Sequence, residues 1–142
     1  MKYYLFTYYI GDLIKYAQLI EHDIRFIFAA LAQGDFNENL NLVFSNRITL
    51  GEVVKRLELL DNSDSNPFFS PADYKYLRQI TGKRNHYVHE SYLNFIYIKD
   101  FEKSKEYLDE TIKLHEDYER IKRLAKVVEE NRIKVLKAYR NA

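Results

Sequence analysis

The sequence predicts an all-α fold, and three observations support this class. Apolar residues recur at steps of three and four over long stretches, which is the periodicity of one face of an α-helix. Hydroxyl residues and a proline stand in the order expected of helix starts. The 142 residues, of which 46% are hydrophobic, suit the core of one domain. We therefore expect residues 1–142 to form a single bundle of four main helices, of which the first and the last are long.

The first helix is predicted from about Tyr4 to Ala32. Its apolar positions keep the helical steps: Leu5, Tyr9, Leu13, Tyr16, Ile20, Ile24, Ile27 and Leu31. Residues 33–35, Gln-Gly-Asp, end this helix, and the polar, asparagine-rich connector that follows to Arg47 is expected to be mobile. Residues 49–52, Thr-Leu-Gly-Glu, then have the form of a capping box and should open a short second helix.

The third helix is predicted to start at Ser70, whose hydroxyl can cap it and which precedes a proline at the first helical position. Residues 91–98 are rich in β-branched and aromatic side chains, so a short extended passage is expected there. Asp100 is then placed to cap the last helix, which is predicted from about Phe101 to Tyr139.

Composition bears on the compartment. The chain has no cysteine, so it can form neither a disulfide nor a thiolate metal site, and a reducing environment is expected. No run of 18 apolar residues occurs, and the tyrosine-rich segment 3–10 lacks the small-residue cleavage site of a signal peptide. The sequence therefore predicts a cytoplasmic protein that does not enter a membrane.

Acidic and basic residues occupy different halves of the predicted last helix. The net charge of the chain, +1, excludes a strongly basic, histone-like nucleic-acid binder. Residues 100–119 contain eight acidic and three basic side chains, whereas residues 120–142 contain two acidic and eight basic ones. A helix macrodipole favours this polarity. The same distribution would match the charges of a second copy of the helix running antiparallel.

The strongest candidates for a functional site are residues 84–89, Arg-Asn-His-Tyr-Val-His, at or just after the third helix. A planar guanidinium matches phosphate oxygens, and an imidazole can exchange protons near neutral pH. On a helix, Asn85 and His89 are i,i+4 neighbours on one face, and Arg84 begins about 100° to one side. The three side chains can therefore converge on one anion without a metal.

The pattern Arg-Asn-x-x-x-His resembles the signature of the HEPN superfamily, the higher eukaryotes and prokaryotes nucleotide-binding domains. The helix order, and residues 49–51 before the second helix, are also similar to that family over most of the chain. Many members are toxins or immunity proteins that cleave RNA without a metal. The resemblance implies that His89 exchanges protons with the ribose 2′-hydroxyl or the leaving oxygen, that Arg84 binds the scissile phosphate and that Asn85 orients the pair. The expected product carries a 2′,3′-cyclic phosphate.

The resemblance also implies partners. The motifs of two protomers would face each other across a homodimer interface and hold RNA in a shared cleft, where Gly82 would permit close approach of a neighbour. Lys83, His86 and Tyr87 are then candidates to contact RNA or to support the site. Some members are silenced by a partner nucleotidyltransferase that modifies a tyrosine two positions after the motif histidine, and Tyr92 follows that histidine by three. The resemblance therefore adds a cognate antitoxin or nucleotidyltransferase as a candidate partner, with Tyr92 as the candidate site of modification.

Three side-chain groups have competing interpretations. His86 and His89 suggest a zinc site, but the His-Glu-x-x-His arrangement is absent and no third ligand has a recognisable spacing, so no metal is predicted. Glu21 and Arg25 have the spacing of a surface ion pair. The alternative is that Glu21 or Asp23 reaches the motif and fixes the tautomer of His89, as the resemblance to the family implies. Of the 13 tyrosines, those at positions 87 and 92 are expected to be exposed and able to stack on unpaired bases.

The sequence thus predicts an endoribonuclease that needs no metal or cofactor and cuts single-stranded RNA, as a prokaryotic toxin or antiviral effector. The alternative is a non-catalytic helical module in which the same residues bind nucleotide or stabilise a dimer. A second alternative is an antitoxin or assembly partner that uses the last helix as its docking surface.

Overall fold

The computed structural model describes residues 1–45 and 47–141, with the side chains of 1–45 and 47–138. Within these ranges the chain forms α-helices, two short 3-10 segments and turns, and no β-strand. The helices are α1 (Tyr3–Leu31), α2 (Phe36–Val43), α3 (Leu50–Asn62), α4 (Pro71–Leu77), α5 (Ile80–His89) and α6 (Lys105–Asn141). The predicted all-α class and the long first and last helices are confirmed. The predicted third helix is divided into α4 and α5 by a turn at residues 78–79, and α2 was not predicted.

Helices α1 and α6 lie side by side in parallel and provide most of the core. Three contacts follow the same order along both helices: Tyr107 with Met1, Tyr118 with Asp12, and Arg132 with Asp23. Of the predicted apolar positions of α1, Leu13, Ile20, Ile24 and Ile27 are buried and the other four are partly buried. Leu114 and Ile121 are buried on α6. No helix in the described part of the chain combines the length and the apolar content needed to cross a membrane.

Helix α2 occupies the stretch that was predicted to be a mobile connector. Its first turn is capped by Asp35, whose carboxylate accepts a hydrogen bond from the backbone nitrogen of Glu38. Its Asn39 amide donates to the backbone oxygens of Ala29 and Ala32, which lie at the end of α1. The prediction was wrong because asparagine was interpreted as a loop residue, whereas here it satisfies carbonyl groups that a helix end leaves free.

The two predicted helix starts are confirmed by their caps. Thr49 accepts a hydrogen bond from the backbone nitrogen of Glu52 at the start of α3. At α4, Ser70 accepts from the backbone nitrogen of Asp73, whose carboxylate in turn accepts from the backbone nitrogen of Ser70. These caps satisfy donors that the first turn of a helix cannot pair internally.

Residues 91–98 are turns around a 3-10 segment at Tyr92–Asn94, and the predicted extended passage is wrong. Phe95 is fully buried, and its ring meets that of Phe6 on α1 edge to face at 5.1 Å between centroids. Burial against α1 therefore accounts for Phe95, whereas Tyr97 and Ile98 of the same stretch are exposed. Aromatic and β-branched content indicates a half-buried position as readily as a strand.

The start of α6 also differs from the prediction. Asp100 has a left-handed backbone conformation, with φ of 52°, and its side chain caps no helix. The stretch Phe101–Lys103 is a 3-10 turn, and Ser104 accepts a hydrogen bond from the backbone nitrogen of Tyr107 in the first turn of α6. The cap is therefore supplied by Ser104, four residues later than predicted.

A buried carboxylate joins α3 to α4. Asp61 lies in the last turn of α3 and is buried. Its oxygens accept hydrogen bonds from the backbone nitrogens of Phe68 and Phe69 and from the hydroxyl of Tyr74, at 2.7, 3.1 and 2.6 Å. Burial, followed by the bond to this carboxylate, raises the pKa of the Tyr74 hydroxyl.

We expect Asp61→Ala to lower the free energy of unfolding by about 2–4 kcal/mol, because it leaves two buried donors and one partly buried donor without an acceptor. Urea unfolding followed by circular dichroism measures this change. The matched control is Asp64→Ala, since Asp64 is exposed and, among the described residues, accepts a hydrogen bond from the backbone nitrogen of Asn66 alone, at 3.3 Å. A similar loss in both variants would contradict the role assigned to Asp61.

Candidate functional site

Helix α5 carries the motif and presents an exposed face to solvent. Ile80 and Tyr87 point into the core and are buried. The residues on the opposite side are exposed: Gly82, Asn85, Val88 and His89. We call these four residues the outer face of α5. Asn85 and His89 share it, as their spacing of four predicts.

Arg84 lies at the edge of this face and is held by α1. Its Nη1 donates hydrogen bonds to both carboxylate oxygens of Glu21, and both side chains are half-buried. Glu21 therefore reaches the motif, but it binds the arginine and no motif histidine. The alternative pair with Arg25 does not form, because Arg25 donates to the backbone oxygens of Val43 and Ile48.

His89 and Asn85 have free side chains. Within the described residues, neither side chain forms a hydrogen bond or an ion pair, and both are exposed. An unpaired imidazole and an unpaired carboxamide one helical turn apart can bind or exchange protons with a ligand without breaking an internal contact. These are the groups that the sequence analysis placed in the catalytic role.

Unlike His89, His86 is not free, because its side chain is hydrogen-bonded to α6. Its Nε2 donates to the buried carboxylate of Glu110 at 3.0 Å, and its Nδ1 lies 3.4 Å from Glu90. The same Glu110 accepts from the hydroxyl of Ser91 and the amide of Asn94, both at 2.7 Å. His86 thus fastens the end of α5 and the following turn to α6. Its position supports the site and does not offer the ring to RNA.

A second buried carboxylate on α6, Asp117, binds the middle of α5. It accepts a hydrogen bond from the Tyr87 hydroxyl at 2.6 Å and lies 3.1 Å from the Nζ of Lys83. Burial, and then the bond to Asp117, raises the pKa of the Tyr87 hydroxyl. Lys83 and Tyr87 therefore support the helix from its inner side. The expectation that Tyr87 is exposed for base stacking is wrong.

Tyr92 is half-buried in the aromatic cluster at the start of α1. Its ring meets those of Tyr3 and Phe6 edge to face, with centroids 6.3 and 5.6 Å apart. The ring of Tyr92 is therefore less exposed than base stacking was expected to require. Its packing also limits the access of a modifying enzyme.

Sequence reasoning missed the two carboxylates that hold the motif helix. Glu110 and Asp117 are seven residues apart and share one helical face of α6 with buried Leu114 and Ile121. Acidic residues at the predicted inner positions of a helix are the signal that could have revealed them, because a buried carboxylate requires partners.

The candidate site has no metal-binding group on the described residues: no three histidine, aspartate or glutamate side chains converge there as ligands. Comparison of the chain with protein-family models, curated proteins and solved structures finds no match.

Glu110→Gln should lower the free energy of unfolding at neutral pH by about 1–3 kcal/mol, because an amide oxygen cannot replace a carboxylate that accepts from three donors. Burial raises the pKa of the Glu110 carboxyl, but the hydrogen bonds from Ser91, Asn94 and His86 outweigh it and lower the pKa below its ordinary value. This stabilisation is therefore present above the ordinary glutamate pKa of about 4.3 and is lost as the pH falls through the folded-state value. Urea titrations at several pH values measure the difference from wild type.

The control for this prediction is Glu90→Gln, which changes the other carboxylate beside His86. The Glu90 side chain is 71% exposed, so its removal should alter stability by less than about 0.5 kcal/mol. A difference between wild type and Glu110→Gln that persists unchanged into acid would contradict the charge-based explanation.

Proposed function

We propose that the chain is a metal-independent endoribonuclease of the HEPN type that cleaves single-stranded RNA at the outer face of α5, as a toxin or antiviral effector. The observation that carries the proposal is that His89 is exposed and unpaired beside Asn85, while the neighbouring Arg84 is fixed by Glu21. The other motif histidine is bound to α6. One imidazole of the motif is therefore available for proton transfer.

Arg84 is suited to bind the scissile phosphate without leaving its position. Glu21 engages a single guanidinium nitrogen, Nη1, so the remaining N–H groups are available to a phosphate oxygen. The carboxylate orients the guanidinium in advance, which reduces the entropy lost when the substrate binds. Positive charge next to the phosphorus then stabilises the negative charge that develops on its oxygens.

The proposed reaction is an internal transesterification. The ribose 2′-oxygen attacks phosphorus and gives its proton to a base, the bond from phosphorus to the 5′-oxygen breaks, and the leaving oxygen takes up a proton. The products are a 2′,3′-cyclic phosphate and a 5′-hydroxyl. His89 is the proposed group for proton exchange, and Asn85 donates a hydrogen bond that orients the phosphate or the imidazole.

A second copy of the chain is the proposed partner at this face. A two-fold axis through the outer face would form two composite sites, each with the His89 of one protomer and the Arg84 of the other, so that each site would depend on both chains. Gly82 lies on this face, and a methyl group placed there would meet no atom within 4 Å. The face therefore has room for a neighbouring backbone.

One observation favours the non-catalytic alternative. Both cations of the motif helix are already paired, Arg84 with Glu21 and Lys83 with Asp117. These pairs largely neutralise the positive charge that would attract RNA. Neutralised pairs suit a module in which they only fix the shape of a binding surface. The two functions differ in whether the chain cuts RNA.

His89→Ala should lower the rate of RNA cleavage by about 10²- to 10⁴-fold, the usual contribution of a general acid or base. Arg84→Lys should also be strongly impaired, because a lysine ammonium cannot bind both Glu21 and a phosphate through separate nitrogens of one planar group. Cleavage of a labelled single-stranded RNA, with analysis of the product ends, measures both effects.

His22→Ala is the matched control, because it removes an exposed histidine of α1 that lies outside the motif. It should cleave at the wild-type rate. All reactions are run in excess EDTA, in which the proposed mechanism retains its full rate. Unchanged cleavage by His89→Ala would assign the activity to another group, and loss of cleavage in EDTA that zinc or magnesium restores would contradict the metal-free mechanism.

Mixing inactive Arg84→Ala and His89→Ala proteins should restore activity if each site takes its arginine from one protomer and its histidine from the other. After equal mixing, half of the dimers are mixed and each has one intact site, so about a quarter of wild-type activity is expected. Val88→Glu, which places a charge on the outer face of α5, should prevent this recovery. A mixture that stays as inactive as its components would show that the sites are not shared.

A further inference from the structure

Helix α6 carries an ordered stripe on the side that faces solvent. The stripe residues follow steps of four and three without exception and all are exposed: Leu108, Ile112, His115, Glu119, Lys122, Lys126, Glu129 and Ile133. We call them the α6 stripe. The exposed fractions of its apolar members are 56% for Leu108, 51% for Ile112 and 41% for Ile133. A seam between two helices follows the same steps, and in this row exposed apolar side chains stand at both ends with charged side chains between them.

The stripe is self-complementary when a second copy runs antiparallel. A two-fold axis that crosses α6 between residues 120 and 121 pairs residues whose numbers add to 241. The facing pairs, each formed twice, are Leu108 with Ile133, Ile112 with Glu129, His115 with Lys126, and Glu119 with Lys122. The first pair is apolar, and the second sets Ile112 on the methylene stem of a glutamate. The third places an imidazole beside an ammonium group and contributes no attraction, and the last is an ion pair. A parallel copy would instead set Glu119 on Glu119 and Lys122 on Lys122.

Most charged members of the stripe have no ion-pair partner in their own chain. In the described residues, Glu119, Lys126 and Glu129 form no ion pair. Lys122 lies over the ring of Tyr118, 5.8 Å from its centroid, and its charge interacts with that of Asp12 on α1. Surface ion pairs contribute little to affinity, but complementary charges select the orientation in which two helices meet. The free charges are therefore available to specify an antiparallel neighbour.

An open groove of about 740 Å³ runs beside the basic part of the stripe, between α1 and α6. Its walls include Leu19 of α1, which is exposed, and Ala125 of α6, next to Lys126 and Glu129. In the antiparallel arrangement Ile112 of the second copy lies opposite this groove. The groove offers that side chain the apolar surface that it lacks within its own chain.

From these observations we propose that the α6 stripe is the contact surface for a second copy of this chain, joined antiparallel about a two-fold axis near residue 121. The contact is separate from the proposed RNA site. Glu110 and Asp117 of α6 face α5, whereas the stripe lies roughly 180° away around the helix at 100° per residue. The outer face of α5 stays free, and the contact would form even if the chain cut no RNA.

Cysteine cross-linking tests the orientation directly, because the natural chain contains no cysteine. Leu108→Cys and Ile133→Cys proteins are purified separately and treated with a short bismaleimide, alone and after mixing. In the proposed dimer the two positions face each other only between different proteins. The two copies of one substituted position are about 38 Å apart along the helices, beyond the reach of the reagent. The mixture should therefore form covalent dimers, and each single protein should not.

Glu119→Cys mixed with Lys122→Cys is the second pair, placed beside the axis. Cross-linking of the mixture by either pair, with far less in Leu108→Cys or Ile133→Cys alone, supports the proposal. Efficient cross-linking of Leu108→Cys to itself would indicate a parallel contact and overturn it. Failure of both mixtures to cross-link would equally overturn it.

Charge reversal in separate chains tests the energetics. Glu119→Lys and Lys122→Glu each replace two attractive pairs by two repulsive ones, so each alone should raise the dissociation constant at least about 10-fold in sedimentation velocity. Mixed together they regain both attractive pairs and should associate about as tightly as wild type. A mixture as weak as its components would overturn the proposal, since only contact between chains can respond to mixing. Circular dichroism checks that each variant keeps its helix content.

Discussion

Two buried carboxylates on α6 determine how the motif helix is presented. Burying a charge costs several kcal/mol unless partners satisfy it, and Glu110 and Asp117 find theirs on α5 and in the turn that follows it. Lys83, His86 and Tyr87 are used for this purpose, so the inner side of α5 is fixed to the core. What remains free is the side that faces away from α6, with Asn85 and His89. The motif residues that contact Glu110 or Asp117 therefore support the helix, and those that contact neither carboxylate are available to a ligand.

The sequence was sufficient for the elements whose stability comes from periodic burial. The apolar steps predicted α1 and α6, and hydroxyl caps predicted the starts of α3 and α4, because these signals are local. The errors came where one residue type serves two purposes. Asn39 caps the end of α1 and is part of a helix, and Phe95 fills a gap against α1 in a stretch whose composition also suits a strand. Only tertiary contacts distinguish such cases.

The helical spacing of the candidate site could be predicted from the sequence, but the partners of its side chains could not. That Asn85 and His89 share a face follows from helical spacing, and the structure confirms it. Which of two histidines is free does not follow, because the partner of His86 is Glu110, 24 residues later in the chain. The choice of Glu21 between Arg25 and Arg84 also depends on packing. Arg25 is drawn to backbone oxygens near the end of α2, which leaves the glutamate to Arg84.

The outer face of α5 and the α6 stripe point in opposite directions, and this bears on how copies of the chain could assemble. An interface about a two-fold axis joins two copies and is then complete. Two different two-fold interfaces on opposite sides of one chain instead link each dimer to the next, so that assembly grows into a longer row or a closed ring. Occupation of the α6 stripe would therefore set the spacing and number of the proposed RNA sites without touching Arg84 or His89. Charge complementarity along α6 would act on the size of the assembly, while the chemistry of the site would depend on the contact across α5 alone.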